Sequence, residues 1–186
     1  METQNIKDPE VRLLAGIAEM LKPQYLGETQ PDPWASSPFG SIKRCPSRQV
    51  GKIGEQLVAG WCAAKGLDVI RSPDPEADRI IAGKRVEIKF STLWRTGVYK
   101  FQQIRRQDYE YVICLGLSPF EAHCWVISKQ LLNERVIGHT PQHGGLKGSD
   151  TYWISVDPSN PPDWLRGCGG TLRAAYEIIR KWQHAD

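Results

Sequence analysis

Residues 78–90 read Asp78-Arg79-Ile80-Ile81-Ala82-Gly83-Lys84-Arg85-Val86-Glu87-Ile88-Lys89-Phe90, and the way this stretch pairs with itself decides the architecture. Side chains alternate along a strand, so Val86, Ile88 and Phe90 fall on one face and Glu87 and Lys89 on the other. One face is apolar core and the other is ionic. Asp78 to Ala82 is a second β-rich run, bounded by Gly83. A two-residue turn at Gly83-Lys84 would pair Ala82 with Arg85 and set Asp78 opposite Lys89, with Glu87 a diagonal step away. A turn at Ala82-Gly83 would instead pair Asp78 directly with Glu87. Either turn puts Asp78, Glu87 and Lys89 on one face, whereas a three-residue turn would throw Asp78 to the opposite side.

Working outward, Ser47 to Gly66 reads as a helix burying Val50, Ile53, Leu57, Val58 and Trp61 along one stripe. Further strands are expected at Leu67 to Arg71, Tyr111 to Leu117, His123 to Ile127 and Tyr152 to Val156, with a short helix over residues 101–108. Gly138 to Asp150 reads as a loop and Thr171 to Gln183 as a closing helix with Leu172, Ala175, Tyr176 and Ile179 inward. Near the N-terminus, Asp8-Pro9 forms an N-cap followed by proline at the first helical position, and Val11, Leu14, Ile17 and Leu21 recur at helical spacing over about residues 9–22. Five prolines then mark residues 23–46 as an extended connector. The domain division is therefore 1–46, N-terminal helix and connector, and 47–186, the main domain. This order implies an α/β chain, a mixed (α+β) sheet flanked by helices.

The 186 residues are 40% hydrophobic, enough for one core without staples. No run of about 18 apolar residues occurs, and METQNIKDPE lacks the basic-then-apolar profile of a signal peptide, so a cytoplasmic protein that does not span a membrane is expected. Five cysteines with no C-x-x-C pair argue for reduced thiols; His139 and His143 with Cys124 supply only half of a zinc-site spacing. No G-x-x-x-x-G-K-[ST] or G-x-S-x-G motif is present. Charge is uneven: residues 84–106 carry seven basic groups against Glu87 alone, interleaved with Trp94, Tyr99 and Phe101, which points to a polyanionic partner.

Two carboxylates on one sheet face repel unless a cation lies between them, and magnesium takes oxygen ligands of this kind. A bare E-x-K in a strand is ordinarily a surface salt bridge. Here it is preceded by a hairpin-placed Asp, backed by an apolar face and followed by a basic aromatic stretch.

These residues resemble the PD-(D/E)XK nucleases, the restriction-endonuclease-like superfamily, over about residues 50–130. Asp78, Glu87 and Lys89 match the metal-and-water triad, and Gly51-Lys52-Ile53-Gly54-Glu55 resembles the helix that often supplies a further acid, Glu55. Phe101-Gln102-Gln103-Ile104-Arg105 resembles the stretch in which a glutamine approaches the scissile phosphate, with Gln102 and Gln103 both open. Pro73-Asp74 is the literal Pro-Asp, but Asp74 sits in a turn, so the ligand assigned by resemblance is Asp78. The resemblance implies a restriction-endonuclease-like fold and cleavage of double-stranded DNA with one or two magnesium ions, manganese able to substitute. Asp78, Glu87 and the Ile88 carbonyl would hold the metal, Lys89 would position the water, and the ends would carry 5′-phosphates. The small chain with basic aromatic loops looks most like a type II restriction endonuclease, expected as a homodimer, with room for a cognate methyltransferase. Candidate DNA contacts are Lys43, Arg44, Arg48, Trp94, Arg95, Lys100, Gln102, Arg105, Arg106, Gln142, His143 and Lys147. Rival expectations are a structure-selective repair or Holliday junction nuclease, and a non-catalytic DNA-binding module on the same scaffold.

Overall fold

The computed structural model describes residues 8–26, 32–141 and 151–184. The chain divides into two compact units, residues 1–35 and 36–186. In the first, helix α1 spans Pro9–Leu26. Asp8 Oδ1 accepts from the backbone N–H groups of Glu10 and Val11 at 2.8 and 3.4 Å, capping N–H groups that have no partner within the helix. Val11, Leu14, Ile17 and Leu21, the residues at helical spacing, are all exposed.

In the second unit, α2 (Gly40–Lys43) interrupts the expected connector and α3 spans Ser47–Ala64. Gly66, at φ +79°, ends α3 in the left-handed conformation that suits glycine, and the Leu67 N–H donates back to Cys62 O at 3.1 Å. The fully buried stripe of α3 is Gly54, Val58 and Cys62, a four-residue spacing rotated from the expected one. Val50, Ile53, Leu57 and Trp61 flank it, half-buried.

Strands β1 (Val69–Arg71), β2 (Arg79–Ile81), β3 (Lys84–Thr92), β5 (Tyr111–Leu117) and β6 (Ala122–Ser128) form a sheet in the order β1-β2-β3-β5-β6. The pair β3–β5 is parallel and the other pairs are antiparallel, so the sheet is mixed as expected. Its first core lies under α3 and α5 (Leu172–Arg180), where Val86 and Ile88 meet Val58, Ile113, Ala175 and Ile179. Thr171 caps α5 through its Oγ1, 3.1 Å from Ala174 N.

Residues 101–108 are not the expected helix. Strand β4 (Tyr99–Ile104) pairs antiparallel with β7 (Tyr152–Val156) in a separate two-stranded sheet. The apolar spacing explains the difference: Tyr99 and Phe101 alternate inward, and Ile104 regains the buried face because an extra residue bulges between Phe101 and Ile104. This ribbon roofs the other side of the main sheet, packing Tyr99, Phe101, Ile104, Ile154 and Val156 against Val112, Cys114, Trp125 and Ile127. Helix α4 (Lys129–Arg135) and a 3-10 turn at Asp163–Cys168 complete that layer; both are too short to show a period in the sequence. All five cysteines are free thiols. Among the described residues no helix is long and apolar enough to cross a membrane.

Candidate active site

The site is assembled by the β2–β3 hairpin. Ile81 pairs with Lys84, Ile80 with Arg85 and Arg79 with Val86, so the turn is Ala82-Gly83. Both turn residues have positive φ, +48° and +79°, the twist that matches flanking antiparallel strands. Extended by one step, this register sets Asp78 against Glu87. Asp78 then closes on both sides of Glu87: its N–H donates to Val86 O at 3.0 Å and its Oδ2 accepts from Ile88 N at 2.7 Å. Its carboxylate thus satisfies a strand N–H of β3 opposite the residue just before β2 begins.

Glu87 is 7% exposed, because the β4–β7 layer covers the ionic face of β3. The Lys89 Nζ donates to Glu87 Oε1 at 2.6 Å, a charge-assisted bond in which the side chains are 16% and 10% exposed. Burial holds the Glu87 carboxyl above the ordinary carboxylate range; Lys89 opposes this, while the neighbouring Asp78 pushes in the same direction. Glu55, on α3, belongs to the same electrostatic group. Its carboxyl is also raised, first by burial and then by Asp78, against the pull of Arg79 and Lys89. A cleft of about 530 Å³ opens at Glu55 and Asp78, lined also by Arg71, Ser72, Asp74 and Arg79; Glu87 and Lys89 are not in its lining.

These shifts set a pH dependence. Glu55 and Glu87 bind protons more tightly folded than unfolded, so their contribution to stability is complete below the ordinary value of 4.5 and is lost as pH rises through their raised values. Glu55→Gln is expected to leave the metal-free melting temperature unchanged near pH 4 and to raise it by about 1–3 °C near pH 8. Melts in chelator across that range check this, and an equal change at both ends would refute it.

The remaining candidates fall into separate groups. Asp74 is held by Arg85 through two hydrogen bonds of 3.1 and 2.7 Å, and this guanidinium keeps its carboxyl low. Gln102 and Gln103 lie exposed on β4, Gln103 with φ +58°. Lys43 donates to Thr92 Oγ1 at 3.0 Å and Leu93 O at 3.2 Å, fastening α2 to the end of β3. Arg44, Arg48, Trp94, Arg95, Arg105 and Arg106 are exposed, and Lys100 is half-buried. Gln142, His143 and Lys147 lie outside the described residues.

Arg79 was not singled out in the sequence. Its guanidinium donates to Asp78 O at 2.7 Å and stands 3.8 Å from Glu55 Oε2. Tyr109 and Lys129 were missed as well. Burial, with Glu87 nearby, raises the Tyr109 phenol, and the Lys129 Nζ lies 3.7 Å from the Tyr109 ring centroid. The pairings of Arg79 with Glu55 and of Tyr109 with Lys129 join residues distant in sequence, so no local pattern signals them.

Among the described residues no group of three or more His, Cys, Asp or Glu side chains is gathered into a metal cluster. The donor set is smaller: Asp78 and Glu87, close enough for Asp78 to raise the Glu87 carboxyl, with Glu55 raised by Asp78 in turn. Magnesium is suited to such a set, because it is commonly held by one or two carboxylates, water and substrate phosphate rather than by a full protein cage. The residues present therefore fit that ion.

No family model matches the chain, and no curated protein matches it. Among solved structures it is similar to one described as that of a bacterial homing endonuclease, I-Ssp6803I, at 16% sequence identity and a TM-score of 0.48, covering 75% of this chain and 96% of that one.

Proposed function

We propose that this chain is a magnesium-dependent endonuclease of the PD-(D/E)XK type, with a restriction-endonuclease-like fold, cutting duplex DNA as a type II restriction enzyme does. The observation that carries the reading is the buried Glu87, held by Lys89 at 2.6 Å and bracketed by the backbone and carboxylate contacts of Asp78. Two carboxylates brought together with their charge partly desolvated are costly to the fold, and binding a cation relieves that cost.

Asp78, Glu87 and the Ile88 carbonyl would hold the ion. Bound there, magnesium supplies Lewis acidity toward a phosphodiester and makes hydroxide accessible near neutral pH. The chain's own residues do the rest. Lys89 spends one N–H on Glu87 and keeps two to orient water or to meet charge developing on phosphoryl oxygens. Glu55 adds negative charge at the cleft wall. Arg79 counters it and steadies the backbone at Asp78. Reading a palindrome calls for two copies related by a two-fold axis, so the active species is a homodimer.

Plasmid DNA incubated with magnesium should give discrete, reproducible fragments whose mapped ends carry 5′-phosphates; a smear, or cutting only of branched DNA, would defeat the type II reading. A second measurement addresses the ion. Magnesium at about 100 times its Kd should add about 2.7 kcal/mol and raise the melting temperature by about 5–10 °C. Asp78→Asn retains an oxygen acceptor for the Ile88 N–H but loses the charge, and this rise should vanish. An undiminished rise in that variant would remove Asp78 from the ligand set.

A further inference from the structure

The roof over the catalytic strand has an outer side. Alternation buries Tyr99, Phe101, Ile154 and Val156 and turns Lys100, Gln102, Trp153 and Ser155 away from the core. Lys100 lies directly across from Ser155 in the register. Its ammonium is seated between two indoles, 4.1 Å from the Trp94 ring centroid and 5.1 Å from that of Trp153. That seating orders a long cationic side chain before any partner arrives.

The ribbon is also tied to the site. Lys100 N donates at 3.0 Å to the Oγ of Ser91, two residues beyond Lys89 on the same face of β3. Two strand residues span about 7 Å, so the ribbon is anchored one strand step from Lys89. From Ile88 to Gln107 the sequence contains no acidic residue, and the strand opposite, Tyr152 to Val156, contains none either. The face is therefore cationic and polar, with the charge that suits a polyanion.

We propose that the outward face of the β4–β7 ribbon enters the major groove of duplex DNA and reads base edges there, with Gln102, Lys100 and Ser155 as the reading side chains. The proposal rests on the nuclease reading above and gives that site its sequence selectivity. Two strands about 4.8 Å apart fit a groove about 12 Å wide. Gln suits the donor and acceptor pair of adenine, and Lys the paired acceptors of guanine. Trp94 and Trp153 hold Lys100 in place, and the buried inner face prevents the ribbon from turning over.

The test uses the full chain in calcium, with a pool of duplexes carrying a randomised core, followed by sequencing of the bound fraction. The parent should enrich one motif. Gln102→Ala, at an exposed position, should relax preference at a defined base pair by roughly 5- to 150-fold for a lost bidentate contact, and Ser155→Ala, also exposed, should relax preference at a second base pair by less. Lys100→Ala should weaken binding and relax preference for a G·C pair. Variants that enrich the parent motif with undiminished selectivity would overturn the ribbon as reader and leave the nuclease reading standing. A parent that binds no duplex and cuts none would overturn the nuclease reading, and the ribbon proposal with it.

Discussion

Lys89→Ala should lose cleavage of duplex DNA in magnesium by about 10³-fold or more, while its affinity for the same duplex in calcium stays within about tenfold of the parent. The loss has two sources that act together. The variant lacks the ammonium that meets charge on the phosphoryl oxygens, and it leaves the Glu87 carboxylate buried without the partner now 2.6 Å away. An uncompensated buried carboxylate takes up a proton more readily, which weakens it as a ligand. Lys89→Arg separates these effects. It restores a cation beside Glu87, and with it much of the stability, but a planar guanidinium does not replace a compact ammonium in the reacting geometry. Single-turnover cleavage beside calcium-phase binding checks all three proteins. Cleavage by Lys89→Ala at the parent rate would remove Lys89 from the chemistry.

Among the described glycines, Gly54 is where an added methyl group would approach a neighbouring atom most closely, so Gly54→Ala should be strongly destabilising. A Cβ at residue 54 would lie 2.2 Å from Phe90 Cβ and 2.4 Å from its Cγ, atoms too close to the β3 backbone to swing aside. Helix α3 must therefore lift from the sheet, which costs about 3 kcal/mol, at the upper end of overpacking effects. For a chain of this size that is a drop of about 6–12 °C in melting temperature. The next residue is Glu55, so the same displacement moves a wall of the cleft. Gly51→Ala and Gly60→Ala on the same helix meet nothing within 4 Å, and each should instead gain roughly 0.5–1 kcal/mol from reduced backbone freedom and better helix propensity. Opposite signs along one helix are what thermal melts should show. Equal melting temperatures for Gly54→Ala and Gly51→Ala would mean that α3 is not seated on Phe90.

Much of the site could be read locally. The alternation of Val86, Glu87, Ile88, Lys89 and Phe90 defines a strand with one apolar and one ionic face, and Gly83 marks the turn that folds Asp78 back toward it. What could not be read was the turn register. Gly83-Lys84 and Ala82-Gly83 serve an even-length hairpin equally well on pattern, and the second requires Ala82 to adopt φ +48°, a conformation that residue preference alone would not assign to it. Residues 101–104 depart from the expected helix for a related reason: a bulge breaks the period of two, so the apolar positions no longer alternate.

The sequence by itself determined the strands β5 and β7, the mixed sheet and the placing of Glu87 and Lys89 on one face, because periodicity and glycine turns act over a few residues. Only the tertiary structure decided that the ionic face lies under a second sheet, that Glu55 stands beside Arg79 and within the influence of Asp78, and that Lys100 is held between Trp94 and Trp153. Those outcomes depend on which layer covers which face. Packing between segments far apart in the chain settles that, and no local pattern records it.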